Sequence, residues 1–366
     1  MICSIITGTG HYLPNKIIKN DHFLKYEFYD KRGKIDQSNE EIIKKFQDIT
    51  EIKERRYIDR GLLNSDIATI AAKKALYNSK IYKEKIDYII SAHNYGDIHP
   101  LSFQSNIMPS ISARVKNKLK IKNRRCKPYD MIFGCPGWIE GMILADQLLR
   151  SKYAKNILIT SSETLSKVID PHDRNAMIFS DGAGAVVLSA IDIKNEKNGI
   201  IYHDSQCDNN EEFNYLTNGP SLNPNYKKSL INIRMNGRRI YEYALTKVPN
   251  MLKNILDKAG IHLNDIKKII IHQANAKMDY AIIKRLLRLY NYSSLNKEFI
   301  SKIMPMTIQK FGNSSVATVP TLLDLILKGK MSPHKINPGD TILMASLGAG
   351  MNVNGMIYRF PKKIIK

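Results

Sequence analysis

Three side chains stand out because of the turns that carry them: the Cys135 thiol, the His272 imidazole and the Asn313 carboxamide. Cys135 lies in DMIFGCPGWIEGMILADQLL, with Gly134 before it and Pro136 and Gly137 after it. Glycine permits a tight strand-to-helix turn. Proline suits a first helical position, because the N–H it lacks has no partner there. The sequence therefore predicts a helix running to about Arg150 with the Cys135 sulfur at its N-terminus. The positive end of that helix favours thiolate and predicts a thiol pKa below about 8.5. Backbone N–H groups of the same turn can bind an oxyanion. His272 ends the apolar run of KIIIHQANAK, at the edge where α/β sheets place ligand chemistry. A neutral imidazole there can donate one hydrogen bond to a developing enolate or oxyanion. Asn313, in KFGNSSVATVPTLLDLI, can donate through its amide without changing charge.

Each residue also has an ordinary structural explanation. A cysteine beside Phe133 can be a small buried hydrophobe, a histidine can bond to backbone, and an asparagine can cap a turn. The remaining candidates carry weaker signals. Cys3 lies in the first strand, Cys126 in a basic loop and Cys207 in an Asn-rich stretch, and the other eight histidines occupy loops or polar contexts. No CxxC pair occurs, so no metal site is expected.

The elements that must position these groups alternate. Strand-like runs are SIITGTG, DYIISAHN, NILITSSE, GAVVLSA, GIIYHDS, KIIIHQA and DTILMAS. Helical patterns lie between them, among them DIATIAAKKALYN, RRIYEYALTKVPNMLKNILDKAG, MDYAIIKRLLRLY and VATVPTLLDLILKG. This predicts an α/β protein. IDYIISAHN is echoed by KKIIIHQAN, and DGAGAVVLSA by LGAGMNVNGM. Cys135 and Asn313 each sit in a turn after a glycine and before an apolar helix. Repeats in the same order predict two related halves, 1–195 and 196–366. Residues 24–45 and 207–230 break the pattern and read as surface insertions or caps.

The chain has 366 residues, 43% of them hydrophobic, enough for a substantial core. Its formal net charge is +22, with 15 arginines against 41 lysines. Most of that excess reads as a lysine-rich composition; local basic clusters would suit an acidic partner. No zinc finger, RNP sequence or basic heptad region points to nucleic acid. No apolar run reaches bilayer length, and MICSIITGTG reads as a strand and turn rather than a signal peptide. A cytoplasmic protein without membrane partners is expected.

Together these segments resemble ketoacyl-acyl carrier protein synthase III. HQAN stands at 272–275, a Gly-Asn-Ser-Ser turn at 312–315, and Cys135 with Gly137 matches the nucleophile turn. ITGTGHYLP, IKERR at 52–56, DPHDR at 170–174, SDGAGAVVL at 180–188, MNG at 235–237 and GAG at 348–350 follow in order. The resemblance implies the thiolase-like fold: two duplicated α/β halves, layered αβαβα, usually a homodimer. It implies transfer of an acyl group from a small-molecule acyl thioester to Cys135. Malonyl-acyl carrier protein then loses CO2 while His272 and Asn313 bind the enolate oxygen, and a β-ketoacyl carrier is released. The Cys135 amide and the Gly348–Ala349–Gly350 turn would form a second oxyanion hole, and no cofactor or metal is required. Arg174, Gly237 and Asn275 are implied contacts to the substrate or CoA. Lys277 matches an arginine that meets the acyl carrier protein, and Lys284 and Arg288 continue its helix face.

No cysteine follows Cys207, unlike biosynthetic thiolases, and Asn313 stands where elongating synthases use a second histidine. The Trp and Arg that clamp the adenine of acetyl-CoA are replaced by Lys45 and Ile49. The starter is therefore expected as an acyl-CoA held differently or as an acyl group on carrier protein. An acyltransferase without chain extension and a non-catalytic fold relative remain alternatives.

Overall fold

The computed structural model describes residues 2–99, 101–193, 197–226, 231–293 and 295–362. Two mixed sheets organise it. In the first the strand order is Ile2–Tyr12, Asp181–Asp192, Asn156–Thr164, Tyr88–Ala92, Lys127–Met131. In the second it is Gly199–Cys207, Asn352–Arg359, Thr341–Gly348, Ile266–Ile271. Matched along that order, the first four strands of each sheet pair in the same senses: antiparallel, antiparallel, parallel. The boundary placed at residue 195 falls in 194–196, outside the described residues. The echo of DGAGAVVLSA in LGAGMNVNGM is offset in space. Gly182–Gly184 lie inside a strand, whereas Gly348–Gly350 span a strand end and the turn after it.

Two helices, Gly137–Arg150 and Thr318–Leu327, fill the space between the sheets. One apolar cluster joins Trp138, Met142 and Leu322 to Ile90 and Ile159 of the first sheet and Ile270, Met344 and Met356 of the second. Helices apolar on nearly all sides suit a layer buried on both faces. Asn64–Ser79 packs its alanine-rich face on the outside of the first sheet. Gly237–Ala259 and Ala276–Leu289 cover the outside of the second. The result is the five-layer αβαβα arrangement expected from the resemblance.

Periodicity locates most of the buried elements within a few residues, though not the buried strand Asn352–Arg359. It misses Lys127–Met131, whose sequence KPYDM has no apolar alternation. This is an edge strand, where proline and charge are tolerated because one side needs no ladder partner. The segment read as an insertion at 207–230 is more than a cap. Its Leu216–Gly219 pairs with Asn232–Met235, and Arg234 ties that hairpin to Asp170 (2.6 Å) and Asp173 (3.3 Å); residues 227–230 lie outside the described chain. In 24–45, Phe28 and Ile42 bury against Phe23 and Met177. Among the described residues no helix is long and apolar enough to cross a membrane, and no cluster of His, Cys, Asp or Glu could hold a metal ion.

Candidate active site

Cys135 sits between the edge strand Lys127–Met131 and the helix Gly137–Arg150, with Pro136 as the N-cap residue. Its sulfur faces a cavity of about 350 Å³. Tyr95, Ile132, Phe133, Leu165, Phe179, Leu216 and Ile233 make the apolar wall, and Asn94, Thr217, Asn218 and Asn352 add polar points. The Gly348–Gly350 turn lies directly against the cysteine. A Cβ on Gly348 would stand 2.5 Å from the Cys135 nitrogen and 2.7 Å from Pro136 Cδ, so only glycine fits. Two asparagines of the following strand lock this junction. Asn352 Nδ2 donates to Ala349 O (2.9 Å), and Asn354 Nδ2 donates to Pro136 O (3.1 Å).

His272 follows the buried strand Ile266–Ile271, and its N–H is held by Ala345 O at 2.9 Å. The ring is buried, and Nδ1 finds no protein partner. Gln273 anchors the turn, donating to Pro305 O (2.9 Å) and accepting from the Thr307 N–H (2.8 Å). Asn313 is pinned by its backbone: its N–H donates to Ile178 O and its C=O accepts from the Ser180 N–H, both at 2.9 Å. Gly312 adopts φ +62° just before it, a conformation that glycine reaches without strain. Asn313 Oδ1 accepts from the Ser315 N–H at 2.7 Å, which leaves the amide NH2 as its donating end.

Ser315 joins the three groups. Besides holding Asn313, it donates from its hydroxyl to Cys135 Sγ at 3.2 Å, and its backbone is the main influence opposing burial on the His272 ring. Cys135, Asn313 and Ser315 are thus linked by hydrogen bonds, with His272 beside the Ser315 backbone.

The electrostatics differ from the sequence expectation. Burial pushes the Cys135 thiol up to about 11; the Ser315 hydroxyl pulls it down and Glu163 adds to the rise. The helix terminus favours thiolate, but removal of the sulfur from water outweighs it. Burial pulls His272 down to about 4, so the imidazole is neutral at pH 7. Cys126, placed in a basic loop by sequence, is buried in the first-sheet core, where burial raises its thiol to about 11.

The other sequence-derived positions are spread around this centre. Gly348, Ala349 and Gly350 meet the cysteine turn. Arg174 is exposed at the start of a 3-10 turn. Gly237 opens the helix Gly237–Ala259, with open space where a side chain would stand. Asn275 caps the helix Ala276–Leu289, its side chain accepting from the Met278 N–H at 3.2 Å. Along that helix Lys277 and Arg288 are exposed and Lys284 is half-buried. Lys45 is exposed and Ile49 is 37% exposed on the helix Asn39–Thr50.

Sequence reasoning missed Asn94 and Glu163. Asn94 Nδ2 donates both to Ser315 Oγ (3.1 Å) and to Glu163 Oε1. Glu163 is fully buried and its Oε2 has no partner. Burial holds its carboxyl up to about 8; the Asn94 bonds oppose the rise and Asp181 adds to it. A glutamate closing the strand-like run NILITSSE was the available signal.

Comparison with known proteins finds relatives along the whole chain. A family model described as 3-oxoacyl-[acyl-carrier-protein (ACP)] synthase III matches residues 129–209, and its C-terminal companion matches 256–360. The β-ketoacyl-[acyl-carrier-protein] synthase III 1 of Vibrio vulnificus is 32% identical over 360 residues, covering 98% of this chain and 99% of that protein. The synthase III of Erythrobacter litoralis is 29% identical over 362 residues, covering 98% and 100%. Among solved structures, the 3-oxoacyl-[acyl-carrier-protein] synthase III of Aquifex aeolicus superposes with a TM-score of 0.76 at 29% identity, covering 98% and 100%. That of Pseudomonas aeruginosa gives 0.79 at 24% identity, covering 100% of both chains, a likeness of fold.

Proposed function

We propose that this chain, which belongs to the 3-oxoacyl-[acyl-carrier-protein] synthase III family, condenses an acyl thioester with malonyl-acyl carrier protein in fatty-acid biosynthesis. It is an acyltransferase that makes a carbon–carbon bond. The observation that carries the roles assigned below is the Cys135 sulfur in the wall of an apolar cavity, bridged by Ser315 to the Asn313 amide.

In the first half-reaction Cys135 Sγ attacks the thioester carbonyl. The carbon–sulfur bond to CoA or carrier breaks, and the thiol proton ends on the departing thiol. The Cys135 N–H and the Gly348–Gly350 turn, which lies against it, would receive the carbonyl oxygen as it gains charge. In the second, the bond between the malonyl methylene and its carboxylate breaks. CO2 leaves and the electron pair passes into a thioester enolate. Neutral His272 and the Asn313 NH2 donate to that oxygen. The enolate carbon then attacks the acyl-cysteine carbonyl, and the Cys135 sulfur leaves and regains a proton. No step calls on a metal or redox group.

Arg174, Gly237 and Asn275 are assigned to the thioester's carrier arm. For Asn275 the role is indirect, because its side chain caps a helix. Lys277, Lys284 and Arg288 offer positive charge to an acidic carrier protein. A homodimer is proposed across the free edge of Lys127–Met131. Exposed Ile132 (61%) directly follows that strand, and exposed Met108 (86%) shortly precedes the helix Ile111–Lys118, whose first N–H donates to Asp130 of the strand; such apolar surface is rarely left to water. A cytoplasmic location fits this chemistry.

The deciding experiment incubates the protein with an acyl-CoA or acyl-carrier starter and carboxyl-labelled malonyl carrier. Intact-mass analysis is expected to show one acyl group on Cys135, with labelled CO2 and a β-ketoacyl carrier as products. Acylation without CO2 release would reassign the chain to simple acyl transfer. Efficient loading from acetyl-CoA would remove the distinction drawn from Lys45 and Ile49.

A further inference from the structure

We propose that Glu163 is a positioning residue for the nucleophile: acting through Asn94, it fixes the Ser315 hydroxyl as a hydrogen-bond donor to Cys135 Sγ. This rests on the reading of Cys135 as the nucleophile and adds a residue that touches neither substrate nor sulfur.

The argument is a count of hydrogens. The Asn94 amide has two. One goes to Glu163 Oε1 and the other to Ser315 Oγ at 3.1 Å. Ser315 Oγ therefore accepts from Asn94 and keeps its own hydrogen to donate, and Cys135 Sγ lies 3.2 Å away. The direction of the chain depends on its far end. Glu163 Oε1 is an acceptor, so it demands the NH2 end of the Asn94 amide. Without that acceptor the amide can turn over and present Oδ1 to Ser315, and the serine hydrogen would then leave the sulfur for the amide oxygen. A hydrogen bond donated to a forming thiolate is of the charge-assisted kind, stronger than a neutral one. In this buried site nothing else on the sulfur offsets its removal from water except its own backbone turn.

Glu163 performs this task best uncharged. Its environment supports that state: it is fully buried, its second oxygen is unpartnered, and no cation pairs with it among the described residues. The groups that face it are Asp181, Tyr95 and Cys135. Lys167 acts through its charge on the Asp181 carboxylate. Tyr95, whose burial raises its hydroxyl, contributes no charge near neutrality. Once ionised, Glu163 would still hold Asn94 but would set a negative charge against the thiolate. The carboxyl is held up to about 8, so that penalty arrives within an accessible pH range.

The test is the rate of Cys135 alkylation by iodoacetamide between pH 6 and 9.5, read by mass spectrometry of the Cys135 peptide. It needs no acyl substrate, so its outcome stands apart from whether condensation occurs. In the native protein the rate is expected to climb with pH and to bend over near pH 8 as Glu163 ionises. Glu163→Gln supplies a neutral acceptor. It is expected to react within about threefold of native at pH 7 and to climb without the bend. Glu163→Leu and Ser315→Ala are each expected to react about tenfold more slowly at pH 7. Asn94→Asp, which takes the serine hydrogen and adds charge, should be slower still. Native-like alkylation of Glu163→Leu would overturn the proposal. So would a bend near pH 8 that survives in Glu163→Gln, or a Glu163→Gln protein as slow as Glu163→Leu. The two Gln outcomes decide the matter even if the leucine variant fails to fold.

Discussion

Two histidines follow corresponding strands of the two sheets, and they have opposite fates. His93 follows Tyr88–Ala92 and is fully buried. Its Nε2 meets Asp130 Oδ2 at 2.8 Å, and its Nδ1 accepts from the Gly96 N–H at 3.0 Å. His272 follows Ile266–Ile271, is equally enclosed, and has a ring nitrogen without a protein partner. Both rings left water on folding, but only His93 had the hydrogen bonds of both ring nitrogens replaced. In the mechanism proposed above the difference separates a structural polar group from one that would serve substrate, because an unsatisfied buried nitrogen is costly unless something else uses it. The central helices repeat the contrast. The turn before Gly137–Arg150 carries a thiol, and the turn before Thr318–Leu327 carries a carboxamide, and Ser315 links the two through hydrogen bonds to Cys135 Sγ (3.2 Å) and Asn313 Oδ1 (2.7 Å).

The strongest way to break this division of labour is to remove the sulfur. Cys135→Ala is expected to abolish acyl-enzyme formation and lower condensation by roughly a thousandfold or more, read by intact mass and CO2 release. Product formation at native speed would end the assignment. Next, His272→Ala and Asn313→Ala should each slow malonyl decarboxylation by about a hundredfold or more while Cys135 still accepts an acyl group. His93→Ala should show the reverse pattern. It leaves the buried Gly96 N–H without its acceptor and removes one of the bonds to Asp130, and is expected to cost about 1–3 kcal/mol of stability, seen as a lower Tm, with decarboxylation per folded molecule nearly kept. Equal kinetic losses at both histidines would erase the comparison.

The pH dependence sharpens it further. The role proposed for His272 is that of a neutral donor, and burial lowers its pKa to about 4. The neutral form dominates above that value and is lost only as pH falls through it. Malonyl decarboxylation should thus stay level from pH 8 to about 5. A falling limb centred near 6.5, the ordinary histidine value, would contradict the burial argument. The smallest effect is expected on the surface: Lys277→Glu should slow carrier-dependent turnover a few-fold and flatten its salt dependence, leaving reactions of free CoA thioesters alone.

Much of the fold was legible in the sequence because its signals are local. YIISA and KKIII read as buried strands, GWIEGMILADQLLR as a helix, and the glycine turns at Gly134 and Gly312 as sharp entries. Among the strands of the two main sheets, the two that escaped notice, Lys127–Met131 and Asn352–Arg359, lack an apolar period. The first is an exposed edge; the second begins with the asparagines, Asn352 and Asn354, that grip the Cys135 turn. His93 looked like a loop histidine and Cys126 like a loop thiol, since burial by distant segments leaves no mark on the neighbouring residues.

The sequence alone determined that a thiol, an imidazole and a carboxamide would each stand at the mouth of an apolar element, because turn chemistry and side-chain period act over a few residues. Only the tertiary structure decided how those groups behave. It took the thiol out of water and raised it, left one histidine unpaired while satisfying another, and strung Glu163, Asn94 and Ser315 to the sulfur. Desolvation and hydrogen-bond partnership are set by atoms tens to hundreds of residues away along the chain, and no local pattern encodes them.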